Sequence, residues 1–290
     1  MTAPQISVII PHYNDLAALN LCLAAIEAQT QLRGTFEVIV ADNASPLSRD
    51  ELERTIAARA TLVNVTEKGA GPARNGGVAA SRGDILAFVD CDCIPEPAWL
   101  TEGVAALSHH DFVGGAMVVL IDRSRAITGP EAFESVFAFD NREYVEKKAF
   151  TVTANLFCTR DIFDVVGGFR NGVSEDKDWC HRARDMGYRI GYADRAVVGH
   201  PARVSWEDLR KKWQRLNAET YGLYRLRRFG KVKWLVRTWL LPPSVLAHIP
   251  VVLNSPALMS GVERRAALAT LARIRWWRFI HAHRLLAGTD

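Results

Sequence analysis

The chain has 290 residues, 49% of them hydrophobic and 23% charged, which excludes a disordered or fibrous protein and allows one large folded domain with an appendage. Its net charge of +4 hides an asymmetry: residues 1–202 carry 19 Lys and Arg against 27 Asp and Glu, net −8, whereas residues 203–290 carry 17 against 5, net +12. The cysteines (Cys22, Cys91, Cys93, Cys158, Cys180) are odd in number and scattered, which argues against a disulfide framework, and Cys91 with Cys93 lacks the second close pair that a zinc site needs.

Met1 to Ile10 has no basic segment followed by a long apolar run, so it does not read as an export signal and a cytoplasmic protein is expected. Ile6 to Ile10 is a short apolar strand ending at Pro11, and Asn14 stands where a helix N-cap is expected. Leu16, Leu19, Leu23 and Ile26 follow at helical spacing. A second strand, Phe36 to Ala41, runs into polar Asp42-Asn43-Ala44-Ser45-Pro46, and Ser48-Arg49-Asp50-Glu51 fits a capping box. Leu62 to Val65 reads as a third strand, Pro72 as the first turn of a helix reaching Ser81, and Ile85 to Val89 as a fourth strand. Pro97 to Leu107 reads as a helix and Phe112 to Leu120 as a strand, followed by a looser segment up to Thr151. Thr151 to Cys158 is the next expected strand, Asp176 to Met186 a helix with an acid-rich opening, and Ala196 to Gly199 a strand closed by His200. This alternation predicts an α/β fold: a predominantly parallel, twisted sheet flanked by helices, with ligands beyond the carboxyl ends of its strands.

The sharpest chemical signal is Phe88-Val89-Asp90-Cys91-Asp92, an apolar strand ending in two carboxylates that share one face in extended backbone. Mg2+ or Mn2+ prefers oxygen ligands and needs few of them when substrate phosphates complete the shell, so a nucleoside diphosphate suits this pair.

Taken in order, Ser7-Val8-Ile9-Ile10-Pro11-His12-Tyr13-Asn14, Val38-Ile39-Val40-Ala41-Asp42-Asn43-Ala44-Ser45, Gly71-Pro72-Ala73-Arg74-Asn75-Gly76-Gly77 and Asp90-Cys91-Asp92 resemble the family 2 glycosyltransferases of GT-A fold. Glu175-Asp176-Lys177-Asp178-Trp179, with Arg182 and Gly187-Tyr188, is similar to that family's acceptor-side motif, and the resemblance extends from about Ile6 to His200. It implies an inverting, divalent-metal-dependent transfer of a sugar from a nucleoside-diphosphate sugar, a UDP-sugar above all, to an acceptor hydroxyl. By resemblance Pro11, Tyr13 and Asp42 hold the nucleobase, Arg74 and Asn75 line the nucleotide pocket, and Asp90 meets the nucleotide and, with Asp92, the metal. His200 resembles a histidine that some GT-A enzymes add to the metal shell. Asp176 is implied as the base that deprotonates the acceptor, with Glu175 orienting it or the acceptor. Trp179 is read as core packing and Arg182 as a possible phosphate contact. A GT-A catalytic domain is expected over 1–202, with a nucleotide-sugar half at 1–115 and an acceptor half at 116–202.

Residues 203–290 read as a basic, apolar, mainly helical appendage. Thr238 to Val262 holds 25 positions without Asp, Glu, Lys or Arg, but Pro242, Pro243, Pro250 and Pro256 argue against one continuous span. A monotopic or re-entrant contact flanked by Arg and Trp is expected, with Trp234, Trp239, Trp276, Trp277, Arg273, Arg275 and Arg278 facing an anionic membrane; internal packing of the tail is the alternative. No nucleic-acid-binding signature accompanies the charge, so nucleic acid is not an expected partner. The expected role is bacterial-type surface or exopolysaccharide synthesis on a lipid-linked glycan acceptor, at the inner face of the cell membrane. A sugar-phosphate nucleotidyltransferase is the first rival, but it calls for a glycine-rich loop where His12-Tyr13-Asn14-Asp15 stands. A noncatalytic carbohydrate-binding or scaffolding protein is the second, and it needs neither the aspartate pair nor the base.

Overall fold

The computed structural model describes residues 5–30, 36–225 and 227–289; the first four residues of the N-terminal stretch considered above lie outside them. The chain divides into two compact units, one of residues 1–118 and 140–200, the other of residues 119–139 and 201–290.

The first unit opens with β1 (Ile6–His12), α1 (Leu16–Glu27), β2 (Phe36–Asp42), α2 (Arg49–Ile56), β3 (Thr61–Asn64), α3 (Ala70–Ala79) and β4 (Ile85–Phe88). Next come β5 (Ile94–Pro95), α4 (Trp99–Ala106) and β6 (Phe112–Leu120), then α5 (Gly129–Phe137), which belongs to the second unit. The chain returns with α6 (Asn141–Lys148), β7 (Leu156–Thr159), α7 (Arg160–Val166), α8 (Glu175–Asp185) and β8 (Ile190–Pro201). The eight strands form one sheet in the order β3-β2-β1-β4-β7-β6-β8-β5. β1 pairs in parallel with β2 and β4, and β2 with β3, whereas β4–β7, β6–β7 and β5–β8 are antiparallel. The GT-A-type α/β fold is present; its parallel character belongs to the first four strands, which three helical crossovers return in the same direction, and the whole sheet is mixed.

Helices cover both faces of β1. Ile6, Val8 and Ile10 pack with Leu19, Leu23 and Ile26 of α1, while Ile9 packs on the other face with Val78, Leu86 and Phe88. This explains why the strand is nearly all apolar. Of its two polar residues, buried Ser7 donates to Glu37 Oε1 at 2.8 Å, and His12 closes the strand. Trp179 is fully buried against Phe112, Phe163 and Phe169, in the packing role expected of it.

The capping box on α2 forms between Ser48 and Glu51. On α1 the cap is Asp15, which accepts from Ala18 N at 3.0 Å; Asn14 precedes it at φ 53°, so the expected cap lies one residue too early. The segment read as loose up to Thr151 contains α5 and α6. Thr128 and Glu131 form a second capping box with Pro130 in the first turn, and Asp140 caps α6 through Glu143 N, so both helices carried legible starts.

The second unit is helical: α5 is joined by α9 (Trp206–Arg225), α10 (Gly230–Trp239), α11 (Ser244–Leu253) and α12 (Gly261–Ala287). Ala132 and Phe133 of α5 pack with Leu209, Val252, Leu271 and Ile274. Gly129 permits the close approach to α12, since a Cβ there would stand 2.5 Å from Thr270 Oγ1. Buried Glu134 adds ion pairs to Arg203 at 3.0 Å and Lys212 at 2.8 Å. Residues 119–139 therefore group with the tail and not with the 116–202 half to which the sequence reading assigned them.

Among the described residues no single helix is long and apolar enough to cross a membrane; α10 and α11 pass such a test only as a pair bent by 54°. Two of the side chains expected at a membrane face are internal. Trp234 is fully buried and donates from Nε1 to Ala282 O at 3.1 Å, and Arg278 is 4% exposed with its guanidinium 3.9 Å from the Trp213 ring centre. Trp277 packs against the helical core, whereas Trp239 and Trp276 are exposed.

Candidate active site

The parallel register that sets His12 beside Asp42 brings the ends of β1 and β2 together. His12 is buried, with Nδ1 2.8 Å from Asp42 Oδ1, and its Nε2 accepts from Asp15 N at 3.2 Å. With Nε2 accepting from Asp15, Nδ1 is the ring nitrogen that donates to Asp42. Ser45 donates its backbone N–H to Asp42 Oδ2 at 3.1 Å and its hydroxyl to Oδ1. The Asp42 carboxylate is thus fixed from three directions at the edge of a cavity of about 340 Å³ lined also by Ala44, Leu47, Leu62 and Asn64. Tyr13, next along from His12, is 58% exposed and offers its ring to solvent. His12 received no role from the sequence reading; the signal available was that it and Asp42 close adjacent strands.

Asn43 serves the next element. Its Oδ1 accepts from Gly69 N at 2.7 Å and its Nδ2 donates to Glu67 O at 2.7 Å, which holds the approach to α3. Gly69 caps α3 at φ 135°, a backbone conformation open to glycine.

Arg74 on α3 joins what lies far apart in sequence. Its side chain is 3% exposed, with Nη2 2.5 Å from Asp90 Oδ1 and Nη1 2.9 Å from Glu175 Oε1. Burial alone would lower the guanidinium's pKa, but the two carboxylates outweigh it and hold Arg74 charged. Asn75 is turned elsewhere: it donates to Phe169 O and accepts from Phe169 N, both at 2.8 Å, so it clamps α3 to the 167–171 loop and its expected place in the nucleotide pocket is not seen.

Asp92 and His200 meet because β5 and β8 pair antiparallel with Ile94 opposite Gly199. Asp92 Oδ2 and His200 Nε2 are 3.3 Å apart. Adjacent ligands at about 2.1 Å from an octahedral ion stand roughly 3 Å apart, so this oxygen and nitrogen pair fits one divalent cation, with Mn2+ accepting the imidazole readily. Asp90 is bound to Arg74, and no group of three His, Cys, Asp or Glu residues converges on a metal position among the described residues. The expected Asp90, Asp92 and His200 trio is therefore divided, two residues fitting an ion and the third fitting Arg74.

At the start of α8, Asp176 is half-buried and Oδ1 accepts from Ser174 Oγ at 2.8 Å and Lys177 N at 2.7 Å. Burial first, and the charge of Glu175 second, raise its pKa above the ordinary aspartate value against those two hydrogen bonds and the Lys177 charge. A carboxylate so placed is more basic than one in water, which suits proton abstraction from a hydroxyl. Arg182, read above as a phosphate contact, instead donates to the carbonyls of Val166, Gly167 and Gly168 and pairs with Asp178 at 2.9 Å.

Comparison with known proteins identifies the family. The chain is 34% identical over 221 residues to glycosyltransferase AglE of Haloferax volcanii, covering 73% of this chain and 72% of that one. It is 29% identical over 216 residues to the pre-mycofactocin glycosyltransferase of Mycobacterium tuberculosis, covering 70% of this chain and 44% of that longer protein. In fold it is similar to the mannosyltransferase PcManGT of Pyrobaculum calidifontis in complex with GDP-Man and Mn2+, with TM-score 0.60, 21% identity, and coverage of 99% of this chain and 86% of that one. It is also similar to Staphylococcus aureus TarS 1–349 in complex with UDP, with TM-score 0.53, 17% identity, and coverage of 98% and 90%. The family model for glycosyl transferase family 2 matches residues 7–172, more than half of the chain, and the chain belongs to that family.

Proposed function

We propose that the protein is an inverting glycosyltransferase that uses a nucleoside-diphosphate sugar, a UDP-sugar, and a lipid-linked glycan acceptor, in surface or exopolysaccharide assembly at the inner face of the cell membrane. The observation that carries the reaction is the Arg74 bridge. One buried guanidinium ties Asp90, on the donor side of the sequence pattern, to Glu175, beside the acceptor base. Donor and acceptor chemistry thereby share one rigid cluster. The solved relatives in fold hold GDP-Man with Mn2+ and UDP, which supports a nucleotide-sugar donor.

In this reading Asp176 takes the proton of the acceptor hydroxyl as its oxygen bonds to the anomeric carbon. The bond from that carbon to the β-phosphate oxygen breaks, the nucleoside diphosphate leaves, and Asp176 is left as the neutral acid. Asp42, held by His12 and Ser45, accepts from the nucleobase, with Tyr13 and Pro11 beside it. Asp92 and His200 would hold a divalent ion that neutralises charge growing on the diphosphate. Exposed Val232, Val236, Trp239, Leu240 and Leu246, on a basic tail, support attachment to an anionic membrane.

The test is a panel of UDP- and GDP-sugars assayed for hydrolysis with Mn2+ and with excess chelator. Hydrolysis of a UDP-sugar that the chelator stops is the expected result. Turnover of GDP-sugars alone overturns the uridine choice, and turnover untouched by chelator removes the ion.

A further inference from the structure

The second unit gathers three arginines without an acid among them. Arg237 stands on α10, and Arg275 and Arg278 on α12, about one turn apart. Arg275 feels the charge of Arg237, Arg278 feels both others, and among the described residues no carboxylate acts on any of the three. Burial, and then this mutual repulsion, lowers the pKa of both α12 arginines. Neutral partners hold the group in place: Arg278 Nε donates to Asn217 Oδ1 at 3.1 Å, its guanidinium lies over Trp213, and that of Arg237 stands 5.3 Å from the Trp234 ring centre. Rings attract cations but do not cancel their charge. Arg237 Nη1 and Arg275 Nε are moreover buried without a hydrogen-bond partner.

Like charges withdrawn from water, with donors left unpaired, are unfavourable unless an anion completes them. We propose that Arg237, Arg275 and Arg278 form a binding site for a phosphate group carried by a lipid. Phosphate fits because planar guanidinium forks match its oxygens and its two negative charges offset the cluster. The surroundings identify the carrier. Trp239 of α10 and Trp276 of α12 are exposed and both meet Phe279, at 5.1 and 5.5 Å between ring centres, so the helices that bear the arginines also share an aromatic surface open to solvent. Val236 of α10 and Ile280 of α12 are further exposed apolar side chains on the same two helices. Such a surface suits the boundary between headgroups and acyl chains. The choice of a lipid deepens the proposed lipid-linked acceptor and rests on that reading; the phosphate site itself does not.

Thermal unfolding of the full chain in inorganic phosphate, against chloride at equal ionic strength, reads the site. The wild type, and Arg265→Gln at an exposed position of α12, should gain about 2–4 °C in Tm, saturably. Arg237→Gln and Arg275→Gln should lose that gain and, in phosphate-free buffer, melt no lower than wild type because one repelling charge is gone. A wild type indifferent to phosphate, or variants that keep the gain, overturns the site. Flotation with phosphatidylcholine vesicles bearing phosphatidic acid or phosphatidylserine at equal surface charge tests the lipid. Preference for phosphatidic acid that Arg275→Gln abolishes is expected; equal binding to both overturns the lipid source and assigns the site to soluble phosphate. Donor hydrolysis without acceptor, measured on the same samples, separates failure of the transferase reading from failure of this one.

Discussion

Arg74 Nη2 lies 2.5 Å from Asp90 Oδ1 while the same guanidinium reaches Glu175, so the carboxylate that begins the Asp-x-Asp pattern is held by an arginine. Arg74→Lys keeps the charge but cannot span both acids, and Arg74→Ala leaves them facing each other uncompensated. Both acids are partly open to solvent, so Arg74→Ala should cost about 3 kcal/mol, the low end for breaking a buried ion pair. Urea denaturation measures this. Donor turnover should fall in both variants, with Arg74→Lys the milder; wild-type turnover in Arg74→Ala would remove the bridge from the site.

Asp176 gives a prediction with two opposite signs. Asp176→Asn should bind donor normally and lose transfer by about 10²-fold or more. Because the folded protein raises the pKa of Asp176, its ionised form is disfavoured by folding; the stability it contributes is present at low pH and lost as pH rises through the raised value. At neutral pH the neutral amide should therefore be at least as stable as wild type, which calorimetry can show. The acid limb of wild-type transfer should lie above the ordinary aspartate range, since protonation beside Glu175 and Lys177 removes the base. An acid limb unchanged in Glu175→Gln would argue that another group titrates.

His12→Ala should loosen Asp42 and leave Asp15 N without its acceptor. A loss of about 1–3 kcal/mol in stability is expected from buried groups left unpaired. If Asp42 reads the base, donor KM should rise while kcat changes less. Equal effects on every nucleotide sugar, with no change in KM, would confine His12 to folding.

Asp92→Ala and His200→Ala should each raise the Mn2+ concentration needed for half-maximal donor hydrolysis, Asp92→Ala more severely because the carboxylate carries formal charge. Titration of the activity with Mn2+ measures both. An identical Mn2+ response in His200→Ala would leave the histidine as a hydrogen-bond partner of Asp92 alone.

On the tail, Lys231 and Lys233 of α10 are exposed and should contribute to attraction by an anionic leaflet. At about 1 kcal/mol each, Lys231→Glu with Lys233→Glu should weaken co-sedimentation with anionic vesicles by more than tenfold at low salt. A full-length protein that stays in the supernatant with such vesicles at low salt would end the membrane reading.

Much was legible in the chain alone. Apolar runs placed β1, β2, β4 and β6 within a residue or two, Ser48 and Glu51 marked the start of α2, and Asp42 and Asp90 were found at strand ends because polar clusters followed apolar runs. These signals act over a few residues: strand pairing needs an apolar run, and a cap needs one side chain within reach of one turn. Tertiary structure decided which of these residues meet. Whether Asp90 bonds to a metal or to Arg74 depends on how closely α3 approaches the end of β4, and the meeting of Asp92 with His200 depends on the antiparallel pairing of β5 with β8. In the tail, net charge was countable from composition, but Trp213 and Asn217 of α9 enclose Arg278 on the inner side of α12, while Trp276 two residues earlier is exposed. Composition counts charges without regard to direction; the helix face that each side chain occupies, and the neighbour packed against that face, decide whether an arginine meets solvent, a ring or an anion.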